Sequence, residues 1–154
     1  MEILILLFIA VIGTSFLCSI LESVLLSTNA SYISVLEKNN PVAGKLLKKL
    51  KTDIDKSIAS ILILNTIANT LGATAIGVQA QSVFTGNSTL VMVVSIILTF
   101  MILFFAEIIP KTIGAVYWKQ LALHSPSIIF IFIFISFLFI IIIHFVTNNI
   151  GNEN

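Results

Sequence analysis

Three stretches of the 154-residue chain, Ile3–Leu26, Ile58–Val83 and Leu90–Ile109, are long and apolar enough to cross a bilayer. A crossing needs about 20 predominantly apolar residues, because a helix rises about 1.5 Å per residue through a hydrocarbon core about 30 Å thick. Composition agrees: 58% of residues are hydrophobic and only 10% are charged, and the mean hydropathy of +1.12 lies far outside the soluble range. The chain therefore reads as an all-α membrane protein with three transmembrane helices, which with their flanks cover residues 3–28, 57–83 and 89–112. The first run reads as a retained span and not as a signal peptide. Glu2 stands where a positive n-region belongs, and the apolar character continues past Leu17 without a small-residue cleavage site.

Between the first two spans lies a water-facing connector, residues 29–56, which holds Lys38, Lys45, Lys48, Lys49, Lys51 and Lys56 with Glu37, Asp53 and Asp55. Tyr32, Ile33, Val35 and Leu36 before Pro41, and Leu46, Leu47 and Leu50 after it, predict two short amphipathic helices broken at Asn39-Asn40-Pro41. Such a hairpin lies against lipid headgroups with its lysines snorkelling. The positive-inside rule makes it cytoplasmic, and puts the uncharged Gln79–Thr89 loop and the N-terminus outside. Lys111 and Lys119, which follow the third span, fit the same multi-pass topology in a cell membrane. A net charge of +1 supplies no basic field for nucleic acid. The single Cys18 packs as a small hydrophobe. With no nucleophile beside a base and no room for a catalytic domain, the chain is not read as an enzyme.

Polar groups inside a bilayer cost free energy unless they are partnered. Ser19 and Ser23 are four apart on the first span, with Glu22 beside them; Asn65 and Asn69 are four apart on the second; Glu107 lies near the end of the third and is followed by Pro110. Counting helical rise puts Ser19 roughly 24 Å and Glu107 roughly 25 Å below the outer surface, and Asn65 roughly 12 Å above the inner one. The three sets thus converge in one half of the membrane. Pro110 has no N–H, and its ring crowds the carbonyl of Ala106, which frees that oxygen next to Glu107. Hydroxyls, amide oxygens, a carboxylate and a loose carbonyl are the hard oxygen donors that Mg²⁺ takes at about 2.1 Å. Other readings stand beside this one. The serines can bond their own helix backbone, the asparagines can be interhelical glue, and Glu22 and Lys111 can snorkel or pair, with snorkelling favoured for Lys111. Gly72 and Gly77 are read as small residues for close helix approach, and His124 and His144 are assigned no role.

At these residues the sequence resembles the cyclin-M/CorC (CNNM) family. Glu107-Ile108-Ile109-Pro110-Lys111-Thr112 is similar to its E-I-hydrophobic-P-K-T signature, the run SILESVLLS from Ser19 to Ser27 to its S-G-S-E-T-A-L-L-S, and Asn65-Thr66-Ile67-Ala68-Asn69 to its N-T-hydrophobic-x-N. The resemblance runs from about Ile3 to Phe145. It implies a homodimeric transmembrane domain over residues 1–147, with a short polar tail at 148–154, an inward-open cavity, and Mg²⁺ export driven by Na⁺ entry. Carried over by position, the ion ligands would be Ser19, Asn65 or Asn69, and Glu107. Ser23 replaces a family threonine and joins the candidate set, while Glu22, Pro110 and Lys111 would serve structure or gating. Ile20 and Leu21 stand where the family has small residues, so one hydroxyl is missing. The chain ends before the CBS domains of family members, which would leave regulation to a separate CBS-type protein.

A fourth apolar run, Ser127–Phe145, lies in the C-terminal segment 117–147. Hydropathy alone makes it a fourth span; the resemblance makes it a juxtamembrane belt helix that begins at Pro126, which is the expectation adopted. The functional expectation is Na⁺-coupled Mg²⁺ export, and the alternative is a non-transporting scaffold or regulatory subunit of a cation transporter.

Overall fold

A computed structural model describes residues 2–85 and 87–151, the positions 138–140 and 142–151 as backbone only. Among these residues the chain is helical and contains no strand. In order come α1 (Glu2–Ser27), α2 (Ala30–Asn39), α3 (Pro41–Thr52), α4 (Ile54–Val83), α5 (Ser88–Met101), a π-helical segment (Ile102–Ile108), α6 (Ile109–Val116), α7 (Trp118–Leu121) and α8 (Ser125–Gly151). The helices α1 and α4, and the rod Ser88–Val116 made of α5, the π segment and α6, are each long and apolar enough to cross a membrane.

Local chemistry sets the helix boundaries. Asn29 caps α2 by accepting from the Tyr32 amide at 2.9 Å, and Asn40 caps α3 by accepting from the Ala43 amide at 3.1 Å, with Pro41 preset for the first helical turn. The predicted break of the hairpin is therefore a single residue, Asn40. Asn87 opens α5 in the same way, on the Leu90 amide at 3.2 Å. The end of α1 has no basic residue of its own; Lys51 reaches over from α3 and donates to the Leu26 carbonyl at 3.4 Å. Burial there holds the Lys51 ammonium below the usual lysine range.

Two apolar clusters organise the helices. At the end where α4 gives way to α5, and where residues 79–83 continue α4 and do not belong to the expected loop, Leu4 and Val11 of α1, Ile76 and Ala80 of α4 and Leu98 of α5 close the three spans together. At the lysine-rich end, Cys18, Leu21 and Leu25 of α1 pack with Leu36, Leu47, Ile61 and Ile129 from α2, α3, α4 and α8. The third rod is absent from this second cluster. α4 meets that rod mainly through α5, while the π segment and α6 lie chiefly against α1. α1 is thus the common wall, and α4 and the third rod diverge toward the lysine-rich end.

Close approach is local. A Cβ on Gly72 would run into the Val11 side chain, as expected for a small residue at a helix crossing. Gly77 does not share that role, because none of the described residues lies within 4 Å of a Cβ built there. The first turns of α8 dock on α3 and the foot of α4. The Lys49 ammonium sits 5.5 Å from the Phe130 ring centroid, and Ser136 donates to the Ser60 carbonyl at 3.1 Å. The belt-helix expectation for Ser127–Phe145 extends onto positions whose side chains, His144 among them, lie outside the described residues. His124 is exposed.

Candidate cation site

A set of polar residues in the spans forms a seam along one face of α1. Near its middle, Ser15 donates to Asn65 Oδ1 on α4 at 2.5 Å, and both residues are buried. The same oxygen receives a longer bond from Asn69 Nδ2 at 3.5 Å, and Asn69 Oδ1 is buried without a hydrogen-bond partner among the described residues. One turn further along α1, Ser19, fully buried, donates to the Ala106 carbonyl at 2.6 Å. One more turn on, Ser23 donates to the Lys111 carbonyl at 2.7 Å, and the Lys111 ammonium pairs with Glu22 at 3.2 Å. Neither serine bonds its own helix; both cross to the third rod. Glu22 and Lys111 pair with each other.

The Ala106 bond follows from the backbone around it. Within the π segment the Ile109 amide reaches back five residues to the Phe104 carbonyl. The next donor would be residue 110, whose N–H would satisfy Ala106 in α-helical register or Phe105 in π register. Proline offers none. Ser19 fills that deficit from outside the helix, so the widened turn and the serine belong to one arrangement. Ala106 is fully buried against α1, whereas Glu107, the next residue, is half-buried. The ion pairs among the described residues are Lys48–Glu37 and Lys111–Glu22, and Glu107 takes part in neither.

The arrangement ties Asn65, and through it Asn69, to Ser15, and one turn further along α1 it ties Ser19 to the carbonyl freed by Pro110. It separates Ser23 and Glu22, which serve the α1–α6 contact nearer the lysine-rich end. Every group in the seam is an oxygen or amide donor, and no cluster of three or more His, Cys, Asp or Glu occurs among the described residues. Such a donor set suits a hard cation such as Mg²⁺ and not a thiophilic metal.

The cyclin M transmembrane N-terminal domain family matches residues 5–152, nearly the entire chain. The chain belongs to the CNNM family. As a CNNM domain it is a multi-pass membrane protein, and membership is consistent with membrane divalent-cation transport. The UPF0053 protein sll1254 of Synechocystis sp. is 33% identical over 127 residues, which cover 80% of this chain and 35% of that protein. The UPF0053 inner membrane protein YfjD of Escherichia coli K12 is 32% identical over 104 residues, 68% of this chain and 24% of that protein. A UPF0053 protein of Haemophilus influenzae is 31% identical over 108 residues, 70% of this chain and 25% of that protein. This CNNM domain spans about a third or less of the length of these curated relatives.

Ser15 was not among the residues singled out from the sequence. The signal was present, because Ser15, Ser19 and Ser23 recur every four residues and so share a helical face. Its bond to Asn65 crosses between α1 and α4. A double-mutant cycle with Ser15→Ala and Asn65→Val in detergent should return a coupling of about 0.6 kcal/mol and not above about 1.7. A coupling indistinguishable from zero would remove this bond as a link between the two helices.

Proposed function

We propose that this domain moves Mg²⁺ across the membrane, as a homodimer that exports the ion in exchange for Na⁺, with the lysine-rich hairpin facing the cytoplasm. The observation that supports this most is the succession along one face of α1 of Ser15 with Asn65 and the buried Asn69 Oδ1, and then Ser19 with the freed Ala106 carbonyl, Glu107 being the residue next to Ala106 in the chain. A buried, unpartnered amide oxygen in an apolar span is costly, and an acid placed there is a functional signal. In this reading Asn65, Asn69, Ser19 and Ser15 supply neutral oxygens, and Glu107 supplies the charge that offsets the dication. A site with one carboxylate binds weakly enough to release its cargo.

The scaffold alternative draws on Ile20 and Leu21, which stand where the family has small residues. Leu21 lies about 200° around the helix from Ser19 at about 100° per residue, and it is buried in the apolar cluster with Leu25 and Leu47. That substitution therefore falls away from the polar seam. Reconstitution tests the reading: purified protein in liposomes with a Mg²⁺-sensitive dye should show flux that rises with an opposing Na⁺ gradient. Flux that ignores Na⁺ would remove the coupling, and no flux from a folded protein would favour the scaffold.

A further inference from the structure

The six lysines of residues 29–56 face three acids, an excess of three positive charges. Two lysines are already engaged, Lys48 with Glu37 at 3.4 Å and Lys51 with the Leu26 carbonyl. Lys49 and Lys56 have no carboxylate partner among the described residues, yet both line one cavity of about 220 Å³ where α3, the foot of α4 and α8 meet. Asp53 and Ser57 lie on the same side, and Phe130 and Ile133 of α8 form the other wall. The Ser57 hydroxyl is committed, since it donates to the Leu50 and Asp53 carbonyls at 3.1 and 3.0 Å. Two lysines against Asp53 leave the cavity one net positive charge.

The apolar wall continues out of the cavity. Phe130, Ile133, Phe134 and Phe137 stand at positions i, i+3, i+4 and i+7, one stripe of α8. Phe134 is 83% exposed and Phe137 54%. A mouth with a single net positive charge that opens onto an aromatic track has the shape of one molecular class: a singly charged phosphodiester with hydrocarbon attached. The level is right as well, because the cavity sits where Asp53, Asp55 and Lys56 give way to the apolar run of α4.

We infer that this cavity binds the headgroup of an anionic phospholipid, its phosphate between Lys49 and Lys56 and an acyl chain along Phe130, Ile133, Phe134 and Phe137. The bound lipid ties α8 to the hairpin and to the foot of α4, the elements that hold the lysine-rich end of the bundle.

Lipid retention on the detergent-purified protein, read by native mass spectrometry and by thermal unfolding, tests the site. Phosphatidylglycerol should be retained and should raise the unfolding temperature, whereas phosphatidylcholine with the same acyl chains should do neither. Lys49→Gln with Lys56→Gln should weaken phosphatidylglycerol binding about tenfold or more, and Lys38→Gln with Lys119→Gln, which removes the same charge elsewhere, by less than about twofold. Equal losses from the two pairs would replace the site with diffuse attraction and overturn the proposal. Stabilisation by inorganic phosphate alone would overturn it in favour of a soluble anion. If the Lys49/Lys56 variant does not fold, a salt titration of the natural protein decides: phosphatidylglycerol retention should fall steeply with NaCl, and retention unchanged by salt would reject the lysine clamp.

Discussion

Glu107→Gln is expected to lower Mg²⁺ flux by about tenfold or more while leaving the helices intact. Glu107 is half-buried in the π segment and has no ion-pair partner among the described residues. Glutamine keeps the shape and one acceptor oxygen but removes the charge. An interaction with a charged group contributes about 1.5–3 kcal/mol, which for an ion ligand corresponds to roughly tenfold to a hundredfold in affinity. Thermal stability without Mg²⁺ should hold or rise, because an unpaired acid in an apolar span is costly. The Mg²⁺-dependent rise in unfolding temperature should disappear. Glu22→Gln is the contrasting variant. Its pair with Lys111 is partly solvated, and pairs of that kind are typically worth about 1 kcal/mol or less. Natural Mg²⁺ flux from the Glu107→Gln protein would reject the role given to this carboxylate.

Much of the fold was legible because a bilayer leaves few options. Runs of about 20 apolar residues must be helices with their backbone groups satisfied internally, and Asn29, Asn40 and Pro41 punctuate the hairpin by capping chemistry that depends on adjacent residues alone. The freeing of the Ala106 carbonyl was equally legible, since it follows from one proline four residues on. What the sequence could not supply was partnership across helices. The periodicity shows that Ser19 and Ser23 share a face, but only the register between α1 and the third rod makes their acceptors Ala106 and Lys111. For the same reason spacing alone does not give the Ser15–Asn65 bond, and it does not separate Gly72, whose Cβ would meet Val11, from Gly77, whose Cβ would meet nothing among the described residues. The widening of the third rod into a π segment adds a residue to one turn without any change in composition, and no apolar pattern records it.

The second large effect is expected at Gly114, where the seam is held shut at its lysine-rich end. A Cβ built there would lie 2.8 Å from Ser23 Cβ and 2.9 Å from the Ile20 carbonyl. Neither atom is the free end of a flexible side chain, so Gly114→Ala must push α6 off α1. Three contacts cross that approach or adjoin it: Ser23 to the Lys111 carbonyl, Glu22 to the Lys111 ammonium, and Ser19 to Ala106 one turn further toward the middle of α1. Overpacking of this kind costs typically about 1–3 kcal/mol, and lipid offers no compensating hydrophobic drive between helices. Gly114→Ala should therefore unfold at a clearly lower temperature, and Gly114→Val lower still. Gly77→Ala supplies the control, because none of the described residues stands within 4 Å of a Cβ there and alanine favours a helix over glycine by about 1 kcal/mol. That variant should match or exceed the natural protein. A Gly114→Ala protein that unfolds with Gly77→Ala would mean that α1 and α6 are not pressed together at this residue, and the polar seam would then lack the clasp that keeps Ser19 on the Ala106 carbonyl.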